Sequence, residues 1–211
     1  MSATKSALKK SLRAAEQDRP DVATARAELA AEQPKLKPQR LFFIDETSVN
    51  TKMTRFYGRA LVGCRLVAKV PHGHWKTLTL VAALCVRGLT APCVIDGAMD
   101  GQAFLAYIEQ ILAPMLSRGD IVFMDNSSTH KSDQVRAAIE ARGAKLRFTP
   151  AYSPDFNPIE QAYSKLKAAL RKGAARTVET LTALIGKLVT TFDPIECAND
   201  IRKAGYGVKP K

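Results

Sequence analysis

The chain has 211 residues, 46% of them hydrophobic and 25% charged, which is enough apolar material for one well-buried domain or one domain with an appendage. A formal net charge of +12 implies a polyanionic partner: nucleic acid, an acidic membrane surface or an acidic protein would each serve, and composition does not choose. Residues 1–10 lack an apolar signal core and the longest apolar run is only about residues 80–86, so secretion and membrane insertion are excluded and the chain is expected to stay where it is made, with no membrane partner.

In chain order, residues 4–17 read as a short basic helix, broken at Asp18-Arg19-Pro20-Asp21 and followed by an Ala-rich helix to about Gln33. Pro34 and Pro38 bracket a linker, so residues 1–39 form a helical N-terminal segment and residues 40–211 the main domain. Those first residues hold no pair of helices with a tight turn and a recognition face, hence no helix-turn-helix module. Leu41-Phe42-Phe43-Ile44 is a buried strand ending on Asp45, and residues 46–64 are expected to loop away from it. Lys52, Arg55 and Arg59 surround Phe56 and Tyr57 there. Cations among aromatics suit a nucleic-acid surface, though a surface loop anchored by two aromatics has the same composition.

Residues 65–70 and 77–86 read as an antiparallel pair joined by Pro71-His72-Gly73-His74-Trp75-Lys76. His72 and His74 have a spacing that could hold a metal, but no third ligand of that type lies nearby, and a histidine pair near DNA is preferred. Asp96 imitates an aspartate-ended strand, yet Gly97 marks it as a turn residue. Asp100 caps a core helix with Phe104, Leu105, Ile108, Ile111, Leu112 and Met115 inward; Ile121-Val122-Phe123-Met124 is a second buried strand, ending on Asp125. Ser132 caps a helix with Val135, Ala138 and Ile139 inward and Gly143 past its end, residues 145–148 make a short strand, and Thr177 caps a last helix with Leu181, Leu184, Ile185, Leu188 and Phe192 buried. Cys64, Cys85, Cys93 and Cys197 have no paired spacing and read as reduced, buried thiols.

Residues 150–167 organise the rest. Pro150, Pro154 and Pro158 stiffen a lead-in, Asn157 can cap, and a helix starts near residue 158 with Ile159, Ala162, Tyr163, Leu166 and Leu170 in one apolar stripe. Glu160 stands in its first turn. If the two aspartate-ended strands are neighbours, Asp45 and Asp125 emerge side by side at about 5 Å strand spacing, where like charges would raise one pKa. A divalent cation removes that conflict, and carboxylate oxygens suit magnesium or manganese rather than zinc. Asn126 and His130 lie close by, either orienting Asp125, touching a phosphate or merely satisfying a turn.

Asp45 in Phe-Ile-Asp-Glu-Thr, Asp125 in Phe-Met-Asp-Asn-Ser-Ser-Thr-His-Lys and Glu160 in Tyr-Ser-Pro-Asp-Phe-Asn-Pro-Ile-Glu resemble the Asp-Asp-Glu triad of mariner-like transposases, bacterial insertion-sequence branch (insertion sequence 630 type). The interval of 34 residues between the second and third acids agrees, and the likeness runs over roughly residues 40–206, including Pro71 to Thr77 and Ala204-Gly205-Tyr206. Ser48 and Tyr163 depart from it, standing where many relatives carry tryptophan.

The resemblance implies an α/β, ribonuclease-H-like fold: a mixed sheet flanked by helices, with its first and fourth strands adjoining. It implies Asp45, Asp125 and Glu160 as catalytic residues and ligands of Mg2+ or Mn2+, two ions in number, that cut transposon ends and transfer the 3′-hydroxyl into target DNA, with a preference for TA. The partners it implies are double-stranded DNA, an upstream helix-turn-helix polypeptide and a second copy of the chain; the place is the bacterial cytoplasm, at the nucleoid. The residues assigned to DNA are Lys52, Arg55 and Arg59 of the aromatic-bearing loop, His74, Lys76 and Lys131, and Lys165, Lys167, Arg171 and Lys172 from the stretch 161–211, which alone carries ten Lys/Arg against four Asp/Glu. With no end-binding module ahead of residue 40, the chain reads as the catalytic half of a transposase, from a split frame or a truncated copy. The rival readings are an inactive DNA-binding remnant or regulator, and a plain metal-dependent nuclease of the same fold.

Overall fold

In the computed structural model, residues 14–127 and 130–207 are described. Ten-residue β1 (Leu41–Asn50) is the sheet's centre: β2 (Thr77–Cys85) runs antiparallel on one side and β4 (Ile121–Met124) parallel on the other. Outside these lie β3 (Gly88–Asp96), antiparallel to β2, and β5 (Lys145–Phe148), parallel to β4, giving the order β3-β2-β1-β4-β5. The expected mixed sheet flanked by helices, with first and fourth strands adjoining, is what the chain forms.

Alternation along β1 splits the core. Leu41, Phe43 and Val49 face a cluster built with α1 (Pro20–Glu32), α4 (Ile159–Gly173), α5 (Val178–Val189) and α6 (Pro194–Lys203). Phe42 and Ile44 face a second cluster built with α2 (Gly101–Tyr107) and α3 (Asp133–Glu140). Tyr206 closes the first by packing edge-on against Phe43 and Phe123, whose rings stack on each other.

The caps at Asp100, Ser132 and Thr177 form as read, Thr177 through a reciprocal box with Thr180. α2 continues through a π turn at Ile108–Leu112 and a 3-10 turn at Ala113–Met115, which leaves Met115 exposed at the helix end. Most of the helix read over residues 4–17 lies outside the described residues, and its described end is a 3-10 turn at Ala15–Asp18.

Four expectations are corrected. β1 does not stop at Asp45: the next five residues pair with β2, so the loop begins only after Asn50. Residues 65–70 form no strand, because β2 already has β1 and β3 on its two edges and offers no hydrogen bonds to a third. Leu66, Val67 and Val70 lie exposed instead, and the sheet's third strand is β3, which follows β2 after a short turn. α5 is not the last helix. Asp193 accepts from the backbone N–H of Ile195 and Glu196 and Pro194 opens α6, a start signal of cap plus proline that carries Cys197 and Ile201 into the core. All four cysteines are free as expected, but only Cys85 and Cys197 are buried: Cys93 on β3 is half-buried, and Cys64 is exposed because it falls on the long loop.

Candidate active site

β1 and β4 pair in a constant register, Leu41 with Ile121 through Phe43 with Phe123, which carries Asp45 and Asp125 to the same height. β4 ends at Met124, one residue before Asp125. Asp45, Asp125 and Glu160, the last from the first turn of α4, line one open cleft of about 450 Å³ with Asn126, Ser127, Thr149 and the loop Pro150–Pro154. Three acids separated by up to 115 positions in sequence are thus brought together by one strand pair and one helix.

Asp45 is held on both oxygens. Oδ1 accepts from the backbone N–H of Glu46 (2.8 Å) and Oδ2 from Nδ2 of Asn157 (2.9 Å). Burial, reinforced by the charges of Glu160, Asp125 and Glu46, pushes its carboxyl up to about 7 despite the backbone hydrogen bond. Tyr163, one of the two departures from tryptophan, donates its hydroxyl to the Asp45 carbonyl at 2.5 Å and so ties α4 to β1 at the site.

Asp125 is set differently. Its Oδ1 accepts from the Ser127 N–H (3.0 Å) and meets Nδ1 of His130 at 2.5 Å. The other ring nitrogen of His130 meets Oε1 of Glu46 at 2.8 Å. With a carboxylate at each nitrogen, the ring satisfies both only by donating twice, as imidazolium. Burial opposes that charge, yet the hydrogen bonds to Asp125 and Glu46 prevail and lift His130 to about 9, while the same contact holds Asp125 below the usual carboxylate range.

The two residues expected to orient Asp125 therefore part company. Asn126 lines the cleft, whereas His130 lies behind Asp125, 1% exposed, packed at 4.3 Å on Phe104. Asn157, read as a helix cap, does not cap: its side chain turns to Asp45, and Pro158 precedes α4 without a side-chain cap. Asp96 ends β3 opposite Leu78, away from the cleft. Among the described residues no three His, Cys, Asp or Glu side chains are drawn tightly enough to hold a metal ion as they stand, His72 and His74 included. The cleft's acids are hard oxygen donors, and Asp45 is a carboxylate crowded by negative neighbours, which is the chemistry that a divalent cation matches.

The cations divide by location. Lys52, Lys167 and Arg171 line a groove of about 370 Å³ with Ser48, Asn50, Phe56 and Trp75; Lys52 sits over the Trp75 ring (4.3 Å) and Arg171 over Phe56 (4.2 Å). This groove lies further along β1 and two to three turns further along α4 than the acids. Ser48, the other departure from tryptophan, is one of its lining residues. Arg176, which the sequence did not single out, donates to the carbonyls of Thr51 and Met53 and fastens the start of the loop. Arg55, Arg59, His74 and Lys76 are exposed on that loop, and Lys172 is exposed on α4. Lys165 points elsewhere, paired with Glu196 and lying over Phe192 at 4.9 Å; Lys131 lines a hollow beside α3 with Arg136 and Phe148.

No curated protein matches the sequence. Solved structures share the fold at low identity. The Mos1 mariner paired-end complex with Mg matches with a TM-score of 0.74 at 13% identity, and the Mos1 paired-end complex with left transposon end with 0.71 at 16%. These alignments cover 97% and 96% of this chain but only 64% of the other, so the chain spans less than two thirds of those proteins. The isolated catalytic domain of Mos1 matches with a TM-score of 0.61 at 15% identity, over 94% of this chain and 92% of that one. A family model for the DDE superfamily endonuclease matches residues 40–182, from the first residue before β1 into α5. With two thirds of its length under that match and its acids gathered in the cleft, the chain belongs to the DDE superfamily endonucleases.

Proposed function

We propose that the chain is the catalytic domain of a mariner-like transposase, of the bacterial insertion-sequence 630 type, that cuts phosphodiesters at transposon ends and joins the freed 3′-hydroxyl to target DNA. The observation that carries this reading is the meeting of Asp45, Asp125 and Glu160 in one open cleft of a strongly basic chain. The Mos1 relatives in paired-end and strand-transfer complexes, and with Mg and with Mn, lend support from the same fold.

Asp45, Asp125 and Glu160 would hold Mg2+ or Mn2+. Bound there, two such ions would activate an attacking oxygen and stabilise a leaving one at a phosphate. The chain's own part is positioning. Asn157 and the Glu46 N–H fix Asp45, His130 and the Ser127 N–H fix Asp125, and the start of α4 presents Glu160. Among the described residues lining the cleft no histidine, lysine or cysteine stands by to activate the hydroxyls of Ser127, Tyr152 or Ser153, and water and then the 3′-hydroxyl are taken as the nucleophiles.

Lys52, Lys167 and Arg171 take the DNA backbone beside the cleft, with Arg55, Arg59, His74, Lys76, Lys131 and Lys172 as outer contacts. An upstream helix-turn-helix polypeptide would read the transposon ends, a second copy would hold the other end, and TA steps are the target. The setting is the bacterial nucleoid; no helix among the described residues is long and apolar enough to cross a membrane. The test is cleavage and strand transfer on duplexes carrying the element's ends, in Mg2+ or Mn2+. Asp125→Asn and Glu160→Gln should each abolish both steps with the circular dichroism spectrum unchanged. Wild-type activity in either variant, or in excess chelator, overturns the reading.

A further inference from the structure

We propose that Glu46 is a positioning residue for Asp125, acting through His130; the inference rests on the reading of the cleft given above. Glu46 follows Asp45 in β1, so alternation sends the two carboxylates to opposite faces of the sheet. Asp45 turns to Asn157 on the α4 side. Glu46 turns to the α2 and α3 side, where its Oε1 lies 2.8 Å from Nε2 of His130, and Nδ1 of the same ring lies 2.5 Å from Oδ1 of Asp125.

Glu46 does not line the cleft, and His130 lies behind Asp125 with Phe104 against its ring. Neither touches a bound phosphodiester; both act on where Asp125 points. A histidine held at one nitrogen alone can turn about its ring bond and carry its partner with it. An acceptor at the far nitrogen pins the plane of the ring, and the pinned Nδ1 claims Oδ1 of Asp125. The remaining oxygen is then directed to the cleft. One β-strand thus serves both acids, holding Asp45 as part of itself and Asp125 through the next side chain.

The role is that of a hydrogen-bond acceptor, and this sets the test. Glu46→Gln keeps one acceptor oxygen for His130 while losing the charge and exchanging the other oxygen for an amide NH2; Glu46→Ala loses both acceptor and charge, and Glu46→Leu fills the space without an acceptor. Partners that orient a metal's ligands typically contribute 10–100-fold to affinity or activity. Cleavage of end-bearing duplex should therefore fall on the order of 10–100-fold in kcat for Ala and Leu, with KM for DNA unchanged, while Gln stays within about threefold. Mn2+ binding to the DNA-free protein, followed by isothermal calorimetry, should weaken about tenfold for Ala and Leu and little for Gln. Wild-type kcat and Mn2+ binding in Ala and Leu overturn the proposal. So does Gln as impaired as Ala, which would make Glu46 a charged participant in its own right. Asp125→Asn in the same assays separates the two readings: if it is inactive while Glu46→Ala is not, the site stands and the positioning role falls; if it is active, both fall.

Discussion

Replacing Asp45 by asparagine should stabilise the protein in the absence of divalent metal, and by an amount that depends on pH in a defined sense. The carboxyl titrates near 3.8 unfolded and about 7 folded, because burial and then the charges of Glu160, Asp125 and Glu46 disfavour the anion. A carboxyl with a raised folded pKa costs nothing below the unfolded value, where both states are protonated. The penalty grows as pH rises from about 4 to 7 and is complete above that. A shift of roughly three units at about 1.4 kcal/mol each puts the full penalty at about 4 kcal/mol, an upper figure. The asparagine of the Asp45→Asn variant keeps an oxygen for the Glu46 N–H but sets an amide against Nδ2 of Asn157, so one of the two amides must flip at some cost. A net gain of about 1–3 kcal/mol at pH 8 is expected, falling by about 3 kcal/mol to zero or a small net loss at pH 4.5. Urea titrations in excess chelator at the two pH values measure it. Equal effects at both, or a loss of stability at pH 8, would refute the account of Asp45 as a carboxylate strained by its neighbours.

Lys167→Ala and Arg171→Ala should each lower the slope of log affinity against log salt for duplex DNA by about 0.9, with no change of sequence preference. Lys165→Ala, whose cation is already paired with Glu196, should leave that slope alone, and filter binding at four salt concentrations distinguishes the three. A fall in slope for Lys165 equal to the others would refute the division of α4 into a groove side and an α6 side. Tyr107→Phe should raise stability by about 1 kcal/mol, since the buried Tyr107 hydroxyl has no hydrogen-bond partner among the described residues and its desolvation is uncompensated. Calorimetry showing a lower melting temperature would mean that the hydroxyl is satisfied after all.

What the sequence made legible was whatever depends on short-range pattern. Four apolar residues ahead of Asp45 and of Asp125 needed no knowledge of the rest of the chain to be read as buried strands, and the 3.6-residue stripe of α4 placed Glu160 on its outer face. Where the reading failed, a distant partner had overridden a local preference. Asn157 precedes a helix and would cap it by propensity, but Asp45, 112 positions away, takes its amide instead. Residues 65–70 have the composition of a strand, but the partner expected for them, β2, is paired on both sides by β1 and β3. Glu46 reads as one more loop residue for as long as β1 is taken to end at Asp45.

In α1, too, distant partners override the local pattern. Composition sets residues 20–33 apart as an Ala-rich segment before a proline linker, yet Leu29 joins the core and two arginine-carboxylate pairs bind the helix down. Glu32 takes the guanidinium of Arg147 on β5, and Arg26 forks onto Asp155 while donating to Ser153 and lying over Phe156. Pairs this exposed contribute about 1 kcal/mol or less apiece, so their weight is geometric rather than energetic. Ser153 lines the cleft, and residues 150–157 end on the Asn157 that holds Asp45. The helix therefore braces, from outside the acids, the loop that closes one wall of their cleft, and it does so through side chains whose partners lie more than a hundred residues away.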